Sequence, residues 1–209
     1  MLIKEFDNSF KQRLVSAISE VENASNAELV FLVKEVSGNY RDTHLIFASL
    51  LSLLSFSLFI FLPVLFGDYL IYAGTILTFF VGLLLSFFIP SISKLFTKKD
   101  ILNKNVEIMA RAHFQKGKIY NTKSHTGVLI YCSLFEKQIY ILADKGIKGL
   151  IPSNEFIKIE KDFNNVFVDN KITENILVQI NQLKPIFAKY IPPVENDINE
   201  LADDMEIII

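Results

Sequence analysis

Two long stretches without a charged residue decide how this chain is organised. They are Leu45–Phe66, LIFASLLSLLSFSLFIFLPVLF, and Leu70–Ile92, LIYAGTILTFFVGLLLSFFIPSI. A helix of about 22 residues spans about 33 Å, which is enough to cross a hydrocarbon core of about 30 Å. Only Gly67, Asp68 and Tyr69 separate the two stretches. The sequence therefore predicts two antiparallel helices that form a transmembrane hairpin.

Basic residues flank the base of this hairpin and are absent from its tip. Arg41 precedes the first stretch, and Lys94, Lys98 and Lys99 follow the second. Because cytoplasmic flanks are enriched in Lys and Arg, both termini are expected in the cytoplasm. The protein is thus predicted to be an integral protein of the inner (plasma) membrane. Neither stretch contains an ionisable residue, which ion pathways usually need, so the hairpin is interpreted as an anchor.

The remainder of the 209-residue chain has the composition of a water-soluble protein. The whole chain has 21 Lys and Arg and 23 Asp and Glu residues, and of these only Asp68 lies between Leu45 and Ile92. The net charge of −2 and the lack of a basic stripe argue against a nucleic-acid partner. The single cysteine, Cys132, excludes an internal disulfide and fits a reducing compartment.

Helical and strand patterns alternate in the soluble parts. They predict a helix over 6–24, a strand over Glu28–Val36, a helix over Asn103–Lys116, strands over Thr126–Leu134 and Gln138–Ala143, and helices from Ser153 and from Thr173. The strand before the hairpin has no partner of its own. Because the hairpin returns the chain to the same side, Glu28–Val36 is expected to pair in parallel with Thr126–Leu134.

The predicted fold class is therefore α/β, with a single domain split in sequence by the transmembrane helical hairpin. The cytoplasmic domain comprises residues 1–43 and 94–195, and the hairpin lies between them. Residues 196–209 form an acidic tail that ends in Ile207-Ile208-Ile209. This tail is expected to be poorly ordered or to pack late.

Several short motifs follow one another along the soluble parts. They are Glu22, Ser25 and Glu28; Ala110, Phe114 and Thr122; Thr126-Gly127-Val128-Leu129-Ile130; Ile141-Leu142-Ala143-Asp144-Lys145-Gly146-Ile147; and Asn199-Glu200-Leu201. In this order they resemble the TPM domain, the family of the thylakoid acid phosphatase and of photosystem II repair proteins. The resemblance is to a bacterial membrane subgroup in which the membrane segment interrupts the domain, and it implies a TPM-like α/β/α domain.

The predicted strand order brings several carboxylates to one edge of the sheet. Glu28 begins the first strand and Asp144 follows the last, with His125 and Thr126 nearby, and Glu22 approaches the same edge from the first helix. Carboxylates without matching basic residues suit a hard cation, so Glu28, Asp144 and Glu22 are predicted to bind Ca²⁺ or Mg²⁺. Such an ion can also orient a phosphate and activate water.

Each of these residues also has a purely structural interpretation. Glu28 can be a strand-edge acid, Asp144 a turn residue with an Asx-type bond, and Glu22 a solvated acid at a helix end. His113 fits a partly buried packing position. Cys132 lies in the middle of an apolar strand, where a thiol behaves as a hydrophobic group rather than as a nucleophile.

Two functions remain open. The favoured one, implied by the resemblance together with the anchor, is a membrane-anchored TPM-like protein that assists the assembly, repair or maintenance of membrane protein complexes. Its partners would be the lipid bilayer and a membrane protein. The alternative is a metal-dependent acid phosphatase at the cytoplasmic membrane face that uses Glu28 and Asp144. The P-loop, dinucleotide-binding, serine-hydrolase and Cys-x-x-Cys motifs are absent from the sequence, which disfavours those chemistries.

Overall fold

The computed structural model describes residues 5–62, 66–169, 171–194 and 201, together with the backbone of 206–208. The chain forms two compact units, one of residues 1–37 with 103–209 and the other of residues 38–102. The first unit contains the β-sheet, and the second contains the two long apolar helices.

The first unit is a mixed α/β fold around a four-stranded sheet. Its strands are β1 (Glu28–Lys34), β2 (Gly127–Ser133), β3 (Gln138–Ala143) and the short β4 (Glu206–Ile208), in the order β3-β2-β1-β4. β1 is parallel to β2 and to β4, and β3 returns antiparallel to β2. The predicted parallel pairing of the first two strands is confirmed, with Glu28 opposite Gly127.

The described helices follow the predicted order, with two additions. In chain order they are α1 (Asn8–Glu22), α2 (Arg41–Phe61), α3 (Asp68–Phe88), α4 (Pro90–Phe96), α5 (Lys99–Lys116), α6 (Lys145–Leu150), α7 (Ser153–Asn164) and α8 (Ile172–Tyr190). The short helices α4 and α6 were not predicted, because six or seven residues are too few to show a helical period. Pro185 lies inside α8, which continues beyond it to Tyr190.

Alternating side chains place apolar residues on both faces of the sheet. On one face, Leu29, Phe31 and Val33 of β1 pack in a core with residues of α1, α7 and α8. On the other face, Leu32 packs in a second core that includes Val106 of α5. Because both faces are covered, the strands read as continuous apolar runs, which explains why they could be recognised in the sequence.

The helices α2 and α3 pack against each other as a hairpin in the second unit. α2 ends at Phe61 rather than at Phe66, because Leu62 precedes Pro63 and adopts an extended conformation with ψ 143°. α3 likewise ends at Phe88 rather than at Ile92, because Pro90 begins a new helix. The two apolar helices are therefore shorter than the uncharged stretches that contain them.

The C-terminal tail contributes one element that the sequence pattern did not predict. Glu206–Ile208 pair in parallel with Leu32–Lys34, so they extend the sheet by a short edge strand. The rest of the predicted tail, except Leu201, lies outside the described residues. A three-residue strand is too short to show the alternation by which strands are recognised in a sequence.

Candidate functional site

The predicted site residues lie at the edge of the sheet where β1 and β2 begin. Glu28 faces Gly127 across the β1–β2 pair. At the end of β3, the N–H of Asp144 donates to the carbonyl oxygen of Gly127 at 2.9 Å. Glu28 and Asp144 therefore share one edge with a single strand between them, which places their backbones about 10 Å apart. We call Glu22, Glu28, His125 and Asp144 the acidic edge.

Asp144 makes two interactions that fix its carboxylate. Its Oδ1 accepts a hydrogen bond from the N–H of Lys145 at 2.7 Å and caps α6. Its Oδ2 lies 3.0 Å from Nδ1 of His125. The Asp144 side chain is 13% exposed and the His125 side chain 43%, so the carboxylate is mostly buried and the imidazole is partly open to solvent. Asp144 thus makes a local side-chain to backbone bond, but to the next residue rather than to the second one along as in an Asx-turn, and it also contacts His125.

The backbone of His125 adopts a left-handed conformation, with φ 54°, which is uncommon for a residue other than glycine. Its carbonyl oxygen accepts a hydrogen bond from the N–H of Gly146 at 3.0 Å. A Cβ atom on Gly146 would come within 2.5 Å of that oxygen and within 2.7 Å of the carbonyl oxygen of Ser124. The Asp144-Lys145-Gly146 motif therefore combines a helix cap with a close approach of two backbone segments.

Glu22 and Glu28 are held in place from the other side of the edge. Oε1 of Glu22 accepts a hydrogen bond from the N–H of Leu29 at 2.8 Å, which ties the end of α1 to the start of β1. Glu22 is therefore not the solvated acid that was considered as its structural interpretation. Glu28 is buried, and its Oε2 accepts from the N–H of Leu201 at 3.3 Å.

The chemistry of the acidic edge leaves metal binding as a prediction. Within the part of the chain that the structure describes, no three His, Cys, Asp or Glu side chains converge to hold a metal ion. Glu22, Glu28 and Asp144 each accept a backbone N–H, and a carboxylate keeps lone pairs for further interactions. A cation at this edge would therefore take part of its coordination sphere from water.

Cys132 has the environment that the sequence predicted. It lies in the middle of β2 and is fully buried. Burial raises the pKa of its thiol, because desolvation disfavours the charged thiolate. Its role is to pack in the core, and it is not accessible as a nucleophile.

A buried polar cluster at the opposite end of β1 and β2 was not predicted. Oγ of Ser37 lies 2.8 Å from the hydroxyl of Tyr131 and 2.7 Å from Oγ of Ser133. Glu136 accepts hydrogen bonds from the N–H of Ser37 at 3.0 Å and from the hydroxyl of Ser133. Burial raises the pKa of Tyr131 to about 12, and His113 stacks on its ring at 5.9 Å. Within the sequence these residues carry no signal of their own, because Tyr131 and Ser133 lie in or at the end of the apolar run of β2.

The surfaces of α2 and α3 remain apolar and exposed. Both helices are long and apolar enough to cross a membrane, and only 6% and 11% of their most apolar segments are buried. The helices approach each other closely where Gly82 meets Ala48, which is fully buried. A hydroxyl group also forms a hydrogen bond between the two helices, in which Oγ of Ser52 in α2 donates to the carbonyl oxygen of Thr75 in α3 at 3.1 Å. Small and hydroxyl residues thus form part of the contact between the two helices.

The chain is an α/β protein whose sheet is covered by helices on both faces. In the sequence, the apolar helical hairpin lies between the parallel strands β1 and β2. Residues 94–185 match the family model of the TPM domain, the family that the sequence motifs resemble. The NMR structure of the BA42 protein from the psychrophilic bacterium Bizionia argentinensis is similar, with a TM-score of 0.59 over 96% of this chain and 94% of that chain. At 17% identity this likeness concerns the fold alone. None of the curated proteins compared with the chain matches it.

Proposed function

We propose that this TPM domain protein is anchored in the inner (plasma) membrane by α2 and α3 and assists the assembly, repair or maintenance of membrane protein complexes. The observation that carries the proposal is the exposed apolar surface of the helix pair. Contiguous apolar surface of this extent is unusual on a protein in water and is typical of contact with lipid or with a partner. The basic flanks favour cytoplasmic termini.

A membrane protein partner is favoured over transport. Apart from Asp68 at its start, α3 contains no charged residue, and the charged residues of α2 lie in its first turn. Ion pathways usually need such groups deeper in the membrane. A cavity of about 450 Å³ opens between α2 and α3 in their tip halves. Its lining residues are Phe56, Ile60, Asp68, Ile71, Tyr72, Thr75 and Ile76. It offers space for apolar side chains of a neighbouring transmembrane helix.

The membrane part of the proposal is tested by extraction of cell membranes with alkaline carbonate. The protein is expected to remain in the membrane pellet, and its release into the supernatant would contradict the anchor. The partner is tested with a photo-reactive residue at Tyr72, which lines the cavity and is exposed. A reproducible crosslink to a membrane protein is expected, and a matched residue at exposed Leu150, outside the hairpin, should not form it. Crosslinks only to lipid or to nothing from Tyr72 would contradict a partner there.

We also propose that the acidic edge binds a divalent cation such as Ca²⁺ or Mg²⁺. The support is the placement of Glu28 and Asp144 on one edge of the sheet, where oxygen ligands suit hard cations. Thermal unfolding with and without Ca²⁺, Mg²⁺ and Mn²⁺ tests it. A cation at about 100 times its Kd should stabilise the folded state by about 2.7 kcal/mol.

Asp144→Asn is the matched variant for this experiment. Asparagine is as good a helix cap as aspartate, so the substitution removes a charged ligand and preserves the cap of α6. The shift caused by the cation should disappear in this variant and persist in Asp100→Asn, where an exposed acid in the other unit is neutralised. If the cation stabilised the Asp144→Asn protein as much as the unchanged protein, the acidic edge would not be the cation site.

The alternative function is a metal-dependent acid phosphatase at the cytoplasmic membrane face. It would use the carboxylates of Glu28 and Asp144. Cys132 is not available as a nucleophile, because it is fully buried and burial raises the pKa of its thiol. This function requires phosphate release that depends on added metal and is lost in Asp144→Asn. Unchanged turnover in that variant would separate any phosphatase activity from the acidic edge.

A further inference from the structure

The base of the hairpin has an architecture of its own. α3 ends at Phe88, Ile89 is extended with ψ 91°, and Pro90 is the first residue of α4. The apolar helix is therefore interrupted close to the predicted membrane boundary. The chain continues as the short helix α4, which is followed by Lys98 and Lys99.

One side of α4 is attached to the first turns of α2. Oγ of Ser93 lies 3.3 Å from Nδ1 of His44, which also lies 2.7 Å from Oγ of Ser86 in α3. The ring of Phe96 packs edge-on against Phe47 of α2, with 5.8 Å between the ring centroids. Ser93 and Ser86 are buried, so these contacts fix which side of α4 is covered within the hairpin unit.

The other side of α4 presents an apolar residue next to positive charges. The side chain of Leu95 is 82% exposed, and Arg41, Lys98 and Lys99 are exposed as well. Residues 38–44 and 90–102 together contain Arg41, Lys94, Lys98 and Lys99 as basic residues, and Asp42 and Asp100 as acidic ones. A short helix with an exposed apolar residue and neighbouring lysines is typical of a segment that lies in the interface of a membrane.

We propose that the base of the hairpin binds anionic lipid headgroups, with Leu95 in the outer acyl region and Arg41, Lys98 and Lys99 contacting lipid phosphates. The proposal rests on the membrane anchoring proposed above. Basic segments next to a transmembrane helix attract anionic lipids within about one Debye length of the surface. Arginine contributes a bidentate fork for phosphate, and lysine a compact positive charge.

The sequence allows a clean experiment because it contains no tryptophan. In Leu95→Trp, the full chain carries a single tryptophan at the proposed depth. The variant is reconstituted in lipid nanodiscs that contain the same fraction of acyl-brominated phosphatidylglycerol or acyl-brominated phosphatidylcholine. Fluorescence quenching is expected in both and is expected to be stronger with phosphatidylglycerol. Leu150→Trp, at an exposed position outside the hairpin unit, is expected to show none.

Charge neutralisation tests the assignment of the basic residues. Each basic residue near an anionic membrane surface raises the affinity for that surface about fivefold. The double variant Lys98→Gln/Lys99→Gln should therefore lower the preference for phosphatidylglycerol over phosphatidylcholine about tenfold or more. The pair Lys158→Gln and Lys161→Gln, exposed on α7, is the matched control and should leave it unchanged. Native mass spectrometry of the protein without the tryptophan, with phosphatidylglycerol retained from detergent micelles, gives a second measurement independent of Leu95→Trp.

Three results would overturn the proposal. Equal quenching by the two lipids would remove the preference for anionic headgroups. Absence of quenching from a protein that resists alkaline extraction would show that Leu95 lies outside the acyl region, and the anchor itself would stand. An unchanged lipid preference, with loss of a co-purifying protein in the Lys98 and Lys99 variant, would assign these lysines to an acidic protein surface instead.

Discussion

Gly82 of α3 and Ala48 of α2 lie so close together that a Cβ atom on Gly82 would come within 2.9 Å of the Cα atom of Ala48. The contact is between backbones, so no side-chain rotation can relieve it. Small residues at such positions are what allow two membrane helices to pack tightly when water provides no driving force between them.

Gly82→Val should therefore separate α2 and α3. We expect a loss of about 1–3 kcal/mol in the stability of the hairpin, the usual cost of overpacking. Unfolding of the detergent-solubilised protein, followed by a distance probe between the helices, measures it. Gly67→Ala is the matched control, because no atom lies within 4 Å of a Cβ there. Equal stability of the two variants would contradict the close contact.

Gly146 and Gly149 in α6 form a second matched pair. A Cβ atom on Gly146 would collide with the carbonyl oxygens of His125 and Ser124, whereas a Cβ atom on Gly149 meets nothing within 4 Å. Gly146→Ala should destabilise the domain by about 1–3 kcal/mol, and Gly149→Ala should be neutral or stabilise it by up to about 1 kcal/mol. Chemical denaturation of both variants decides the matter, and a reversed order would mean that His125 and Gly146 are not in contact.

Tyr131 should make the protein sensitive to alkaline pH. Burial raises its pKa to about 12 in the folded state, above the ordinary value of 10. The unfolded chain therefore loses the proton first, so the stability contributed by the protonated phenol is complete below pH 10. It is lost as the pH rises through about 12, and the loss is about 2–3 kcal/mol.

Tyr131→Phe provides the comparison for this pH dependence. The variant lacks the hydrogen bond to Ser37 and should be about 1 kcal/mol less stable at neutral pH. Its stability should decline less steeply between pH 10 and pH 12, because the titrating phenol is gone. Parallel curves of unfolding free energy against pH for the two proteins would show that this tyrosine titrates normally.

Cys132 should resist thiol reagents in the native protein. The residue is fully buried in β2 and burial raises the pKa of its thiol, so both access and the thiolate fraction are low. Labelling with a maleimide should be slow under native conditions and complete within minutes in denaturant. Rapid stoichiometric labelling of the folded protein would mean that β2 opens readily.

The pairing of β1 with β2 and the common edge of Glu28 and Asp144 could be predicted from the sequence. Both follow from strand direction, once the apolar hairpin is known to return the chain to its starting side. Hydrophobicity alone extends α2 past Pro63 and α3 past Pro90, whereas the helices end at Phe61 and Phe88. The effect of these prolines on the preceding residue is local backbone sterics and does not depend on burial.

The buried polar cluster could not be predicted by the same approach. Ser37 meets Ser133 and Glu136 only when β1 and β2 are in register, and each of the three alone fits a loop or a turn. The hydroxyl of Tyr131 is likewise hidden in an apolar run that predicts only a buried strand. Contacts between residues that are distant in sequence can be predicted only when the strand register is known, and the register is a tertiary property.

The insertion of the hairpin between β1 and β2 also orders events during synthesis. Ser37 and its partner Glu136 are 99 residues apart in the chain. At about 5–20 residues per second, the ribosome needs roughly 5–20 s to make the intervening segment. During that time β1 has been synthesised, but β2, its neighbour in the sheet, does not yet exist. Both apolar helices are synthesised within this interval, so the helical hairpin can form before the sheet can close.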